Sequence, residues 1–336
     1  MTAGPDLHTI LVGREAMGCR FEVAFNAGEV AEATELGCEV LDLVDEIEAR
    51  ISTYRDTSEL AAINAAVGRW VTVSADTFAL LTLARDLHGR TAGAFDIAAG
   101  PLVRVWGFFQ RKGRTPEADE LAAALAASGT AHLELDPADC RVRLTAPGAE
   151  LNPGGIGKGW AIDRAVDHLL AAGVPSGLVH GGQSSVRAFG TQGPALPGRG
   201  GWKVGLRHPL RPGRRLATFT LRDRALGTSG SGTQFFVDRG RRLGHVLDPR
   251  SGRPAEGVLS ATVVAPTAAE ADALATAAYV LGEAGLPLIA PDGDLVGAVL
   301  VLAGSGSGIR VVVANLDETA VAFELEPGLQ VAGFEA

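Results

Sequence analysis

Cysteine is scarce in this chain: Cys19, Cys38 and Cys140 are the only three among 336 residues. They are too few and too scattered for a disulfide framework or a thiolate metal cluster, and they read as small buried hydrophobes. A basic stripe is lacking as well. The formal net charge is −9, and cations cluster only in the short run RHPLRPGRR, Arg207 to Arg215, which reads as a solvated loop. A nucleic-acid partner bound through phosphate neutralisation is therefore not expected. The amino-terminal MTAGPDLHTILVGREAMG has no basic start, no apolar core segment and no small-residue cleavage site, and no run is long and apolar enough to span a membrane. The expected location is the cytoplasm, with export only if a leader has been removed.

What is present is a hydrophobic content of 46%, ample for a sizeable core in one large or two ordinary domains. The most informative stretch is LNPGGIGKGWAID, Leu151 to Asp163. Glycines 154, 155, 157 and 159 remove the Cβ atoms that keep main-chain N–H groups away from an anion. A helix starting there aims its positive end at the same place, and Lys158 adds a full charge. The stretch is not a P-loop, because Gly159 stands where that motif needs Ser or Thr. It is not a dinucleotide-binding turn either, because no G-x-G-x-x-G run opens the helix.

Periodicity organises the rest. Thr9 to Phe25 alternates as a strand pair around Gly13 or Gly18, and a long helix is expected over Glu29 to Arg50. Further helices are expected at Asp76 to His88, Pro116 to Ala127, Trp160 to Ala171 and Ala269 to Leu281, with a hairpin between Ala131 and Leu151. Strands are expected near 177–189, 202–206, 216–226, 235–238, 260–264, 295–302, 308–313 and 320–323. Strand pairs joined by tight turns and interrupted by long helices indicate an α+β protein with mainly antiparallel sheets. The Pro/Gly-rich segment Thr191 to Gly201 is too short to divide two independent domains, so one domain of two lobes is expected over 1–336.

Within AEADALATAAYVLG, Asp272 and Thr276 stand four residues apart on a helix and share one face. A carboxylate and a hydroxyl are hard oxygen donors suited to magnesium. Their neighbours are Ala and Leu, so the face is apolar and the polar pair needs a reason to be buried.

The glycine-lysine turn, AMG at 16–18, ISTYRDTSELAAIN at 51–64, GAFDIAAGPLVRVWGF at 93–108, LGTSGSG at 226–232, GHVLDPRSGRP at 244–254 and AEADALATAAYVLG at 269–282 resemble, in this order, the ApbE family of FAD:protein FMN transferases. The resemblance covers about residues 10–310. It implies an ApbE-like fold and a magnesium-dependent enzyme that takes FAD as substrate and passes its FMN moiety to a threonine or serine hydroxyl of an acceptor protein, releasing AMP. It implies a metal site of Asp272, Thr276 and a backbone carbonyl of the turn, at Gly157 or Gly155.

It further implies that Met17 and Tyr54 pack against FAD and that Ala94, Phe95 and Asp96 hold it. Asn152, Gly155, Lys158, Thr228, Ser229, Gly230 and Val246 lie at the nucleotide, and His245 lies beside the pyrophosphate, where it can accept the acceptor's proton. Two departures stand out. Asn152 replaces an aspartate found in most of the family, keeping an acceptor but losing the charge, and Ala275 stands where some relatives carry a further acid. The acceptor, by family analogy, is a flavoprotein such as a membrane redox subunit. An FAD pyrophosphatase, with water as acceptor, and a flavin-binding protein without turnover are the competing readings.

Overall fold

The computed structural model describes residues 8–193, 200–211, 213–230, 235–304, 308–316, 321–327 and 331–335. The middle of the Pro/Gly-rich segment (194–199) and the end of LGTSGSG (231–232) lie outside the described residues.

Among those residues nine strands form one sheet in the spatial order β1 (Thr9–Ala16), β2 (Cys19–Asn26), β6 (Gly177–Gly181), β7 (Ser185–Phe189), β10 (Arg224–Gly230), β15 (Val258–Ala265), β16 (Gly297–Ala303), β17 (Ile309–Ala314) and β19 (Val331–Glu335). Each neighbouring pair is antiparallel except the last, β17 with β19, and the sequence pattern had not indicated that closing strand. The β1–β2 turn falls at Met17–Gly18, where both residues have positive φ (50° and 71°), the backbone a two-residue hairpin requires. Gly13 lies mid-strand, opposite Glu22.

One face of the sheet is covered by α1 (Ala33–Ile51), α6 (Gly157–Ala171) and α7 (Ala268–Leu281). The other face is covered by a small sheet ordered β18 (Val321–Leu325), β9 (Arg215–Leu221) and β8 (Trp202–Arg207). The period of two along β16 shows the sandwich directly. Ala298 and Leu300 enter the helix-side core, whereas Val299 and Val301 pack with Trp202, Leu216 and Phe219 on the far side.

Helices begin where their caps lie. Ser58 caps α2 (Glu59–Ala65), Ser74 caps α3 (Ala75–Arg90), and Glu117 with Glu120 forms a reciprocal box at α5 (Ala118–Ala127). α1 starts only after Glu32, whose left-handed φ of 56° ends the preceding turn, so the helix is four residues shorter at its start than the apolar spacing suggests. The sequence pattern also missed α2 and α4 (Gly100–Val105), both too short to show a period.

The expected hairpin is β4 (Leu133–Asp136) with β5 (Arg141–Leu144), and β3 (Val71–Thr72) adds to its edge. α4, α5 and a hairpin of β11 (Phe235–Asp238) and β12 (Arg241–Gly244) surround a separate apolar cluster around Leu102, Trp106 and Phe108. The DPRSG turn links β13 (Leu247–Asp248) to β14 (Arg253–Pro254), and α8 (Leu286–Ile289) follows α7.

Candidate active site

α7 lies against both α6 and β10, and two glycines let it come that close. A Cβ on Gly159 would stand 2.1 Å from the carbonyl oxygen of Ala268, and one on Gly227 would stand 2.4 Å from that of Ala271. Gly159 therefore serves helix packing, a role its place in the glycine-lysine turn does not announce. The crossing is fastened by Asp163 of α6, whose carboxylate accepts from the backbone N–H groups of Ala268 (2.8 Å) and Ala269 (2.9 Å) and pairs with Arg187 at 3.0 Å. Burial holds the Asp163 carboxyl above its ordinary range despite Arg187. The α7 N-terminus is thus capped from another element.

One turn into α7, Asp272 is 8% exposed. Its Oδ2 accepts from the N–H of Gly159 at 2.9 Å, and its Oδ1 accepts from the hydroxyl of Ser185 at 2.7 Å. Burial pushes this carboxyl up to about 6, against the opposing pull of Lys158 and those two hydrogen bonds. Lys158 Nζ donates to the hydroxyl of Ser184, next to Ser185. The Thr276 hydroxyl donates to the Asp272 carbonyl (3.1 Å) and meets the Ser229 hydroxyl at 3.2 Å. A Cβ on Gly155 would come within 3.4 Å of the Thr276 hydroxyl and 3.3 Å of Phe95, so the bare glycine keeps the turn against that hydroxyl. Thr228 pairs with Thr262 at 3.0 Å, one step along β10.

The donor set around Asp272 is one buried carboxylate, several hydroxyls and the carbonyls of a glycine turn. A carboxylate whose ionised form is disfavoured by burial gains from a cation, and hard oxygens select a magnesium-like ion over softer metals. The residues fit such an ion. With a single carboxylate they would leave several of its positions to water or phosphate. Among the described residues no cluster of three His, Cys, Asp or Glu side chains could hold a metal without such help.

The turn opens onto a cavity of about 550 Å³ lined by Met17, Tyr54, Asn152, Gly154, Gly157 and Lys158 among others. Met17, held by its N–H on Glu48 (2.8 Å), and Tyr54 therefore share one space with the turn, although they lie far from it in sequence. Tyr54 is 67% exposed and stacks on Phe109 with ring centroids 4.5 Å apart and planes 19° apart, while the Arg104 guanidinium lies 4.4 Å from the Phe109 centroid. Arg55 and Arg111 also line the cavity, giving it three cations with Lys158 against the single acid Glu48.

Asn152 accepts from the N–H of Gly154 at 2.9 Å, closing a local turn that an aspartate would close equally. Its lost charge leaves the turn's geometry in place.

The remaining candidate residues lie elsewhere. Ala94 and Phe95 are buried, Phe95 beneath the turn. Asp96 accepts from the Thr130 hydroxyl (2.6 Å) and N–H (3.0 Å) and from the Ala98 N–H (2.8 Å), and it meets His88 Nε2 at 3.3 Å. Burial works to raise its carboxyl, yet these bonds hold it below its ordinary range, and the Asp96 contact raises His88. His245 follows β12 and presents its ring to Phe108 at 6.4 Å, edge to face, outside the cavity lining; Val246 is buried in the helix-side core. Gly230 ends β10 opposite Ser260.

Several site residues were not singled out from sequence. Ser184 and Ser185 sit in HGGQSSVRAFG, a run with no spacing signal, and acquire meaning only because β7 lies beneath α6 and α7. Arg55, Arg111 and Phe109 are ordinary loop residues by sequence, and only the fold brings Arg55 and Arg111 to one cavity and stacks Phe109 on its Tyr54.

Comparison with known proteins gives this geometry a context. Residues 17–299 match the ApbE family. The chain is 32% identical over 250 residues to an FAD:protein FMN transferase of Klebsiella pneumoniae, covering 74% of this chain and 76% of that one. It is 35% identical over 267 residues to that of Treponema pallidum, covering 76% and 73%. Its structure resembles the ApbE protein of Thermotoga maritima with a TM-score of 0.80 at 29% identity, covering 90% of this chain and 96% of that one. It resembles the apo flavinyl transferase ApbE of Pseudomonas stutzeri with a TM-score of 0.79 at 29% identity, covering 92% and 95%. With the family matched from the first hairpin to β16 and the fold shared across nearly the whole chain, this protein belongs to the ApbE family.

Proposed function

We propose that this chain is an FAD:protein FMN transferase that requires magnesium, moves the FMN moiety of FAD to a threonine or serine hydroxyl of an acceptor protein and releases AMP. The observation that carries the reading is the chain of contacts from the cavity inward. Lys158 lines the cavity and bonds Ser184, and the adjacent Ser185 bonds the buried Asp272. Such an arrangement suits a pyrophosphate at the turn with its metal behind it.

The chemistry asks for positioning and charge neutralisation more than covalent help. In this reading the Tyr54–Phe109 platform takes the flat flavin ring by stacking, with Met17 beside it. The N–H groups of Gly157 and Lys158 at the start of α6 and the Lys158 ammonium take the phosphates. Asp272, Thr276 and a carbonyl of the turn at Gly155 or Gly157 would hold Mg²⁺, which supplies further positive charge at the pyrophosphate when bound. Ser185 and the Gly159 N–H hold the Asp272 carboxylate in place, one hydrogen bond to each oxygen. His245 accepts the acceptor's hydroxyl proton. The oxygen so freed attacks the phosphorus of the FMN half, the bond to the bridging oxygen breaks, and AMP leaves with that oxygen.

The test is incubation with FAD and Mg²⁺, with and without a threonine-bearing candidate acceptor, read by acceptor mass and nucleotide chromatography. Covalent FMN on the acceptor, dependent on Mg²⁺, supports the transferase. AMP and free FMN without acceptor would replace it with a pyrophosphatase, and tightly held intact FAD with a binding protein. Asp272→Ala should lower transfer by at least roughly a hundredfold; full activity in that variant would overturn the metal assignment.

A further inference from the structure

Two of the three cations that line the cavity are already engaged. Lys158 Nζ donates to the Ser184 hydroxyl, and Arg55 lies 3.8 Å from Glu48, whose carboxylate also accepts from the Met17 N–H. The third is Arg111. Among the described residues its guanidinium makes no ion pair and no hydrogen bond, so its five N–H donors stay available to a ligand.

The loop that carries Arg111 is held by its own backbone and by two rings. The Gly107 carbonyl accepts from the N–H groups of Lys112 (3.2 Å) and Gly113 (3.3 Å), and the Arg111 N–H donates to the Phe108 carbonyl at 3.0 Å. Phe108 is buried in the apolar cluster with Leu102 and Trp106, and Phe109 stacks on Tyr54. From this loop the guanidinium reaches the β1–β2 turn. A Cβ on Gly18 would stand 3.3 Å from Arg111 Nη2, so the bare glycine leaves the guanidinium its room next to Met17.

The backbone conformation is a second, independent observation. Arg111 has a φ of 56°, in the left-handed region that glycine or asparagine adopts at less cost. Either would close this turn more easily, so the loop's own geometry does not ask for arginine. What the position gains is the side chain at the cavity.

We propose that Arg111 is a phosphate-binding residue of this site, gripping the pyrophosphate of FAD from the loop while Lys158 and the start of α6 take it from the glycine turn. The proposal rests on the nucleotide reading and adds to it a contact outside the glycine-lysine turn. A guanidinium meets two oxygens of one phosphate through parallel N–H bonds, which an ammonium cannot, so Arg111 supplies orientation where Lys158 supplies charge. Arg111 stands two residues after Phe109, so a single loop completes the stacking platform and brings the cation. A ligand with a flat ring and phosphates meets both residues, whereas riboflavin meets only the ring.

Binding is measured by titration calorimetry without acceptor, using FAD, riboflavin and inorganic pyrophosphate, each with Mg²⁺. Arg111→Asn removes the charge and keeps the turn, because asparagine tolerates positive φ. It should weaken FAD and pyrophosphate about tenfold while leaving riboflavin and the melting temperature unchanged. Arg111→Lys should recover part of the loss, since it restores the charge without the fork. Unchanged affinity for FAD and pyrophosphate in Arg111→Asn, or an equal loss for riboflavin, would overturn the proposal. A loss that Arg111→Lys does not relieve would assign the effect to the turn and overturn it as well. If the parent protein binds pyrophosphate but not FAD, the nucleotide reading fails while the pyrophosphate comparison still decides the role of Arg111; if it binds neither, both fail.

Discussion

The two walls of the site are built on opposite plans. Around Asp272 the chain is close-packed: two glycines admit α7 against α6 and β10, Asp163 caps it from across the crossing, and the carboxylate has its partners fixed by Gly159 and Ser185. Around Tyr54 the chain is open: the ring is mostly in water, rests on Phe109, and belongs to loops rather than to the sheet. The difference separates two tasks. In the proposed function, groups that meet developing charge on phosphate are held where they cannot relax, while groups that admit a large flat ligand keep an exposed face.

Variants should expose this asymmetry. The largest effect is expected for Gly159→Ala. Its methyl group would stand 2.1 Å from a backbone oxygen, so α6 and α7 must separate, with a loss of more than about 3 kcal/mol of stability in denaturant melts. A variant as stable as the parent would show the crossing to be looser than it looks. On the open wall, Tyr54→Ala removes one stacked ring and should raise the KM for FAD by roughly two- to tenfold with no change in melting temperature. A drop in melting temperature there would erase the contrast between the walls.

The smallest effect concerns the His88–Asp96 contact. Asp96 is held below its ordinary value of 3.8, so its contribution is present above that pH and is lost as pH falls through the folded value. His88 is raised above 6.5, so its contribution is present below 6.5 and is lost as pH rises through the folded value. Stability from this pair should therefore be greatest between about pH 4 and pH 6.5. His88→Gln should abolish the loss on the alkaline side, and a melting profile that keeps that slope would place its origin elsewhere.

How far the site could be read in advance depended on how local each signal was. The i, i+4 placement of Asp272 and Thr276 was legible because one helix contains both, and the glycine-lysine turn was legible because its meaning lies in adjacent backbone. The α+β pattern and most strands followed from alternation alone. α2 and α4 were not legible, being shorter than the window in which a period emerges, and β19 was missed at the chain's end. Gly159 looked like one more glycine of an anion loop. That it also accommodates α7 depends on a partner more than a hundred residues away, and no local pattern encodes that approach.

By itself the sequence determined the alternation of strands and helices, the positions of the turns and the presence of a carboxylate and a hydroxyl on one apolar helix face, because each is a property of neighbouring residues. Only the tertiary structure decided that Ser185 and the Gly159 N–H grip that carboxylate, that Lys158 bonds Ser184, and that Met17, Tyr54 and Arg111 share a cavity with the glycine turn. Those relations arise where β7, α6 and α7 are pressed together by a core assembled from distant parts of the chain, and burial in that core is what raises the Asp272 carboxyl above its ordinary range.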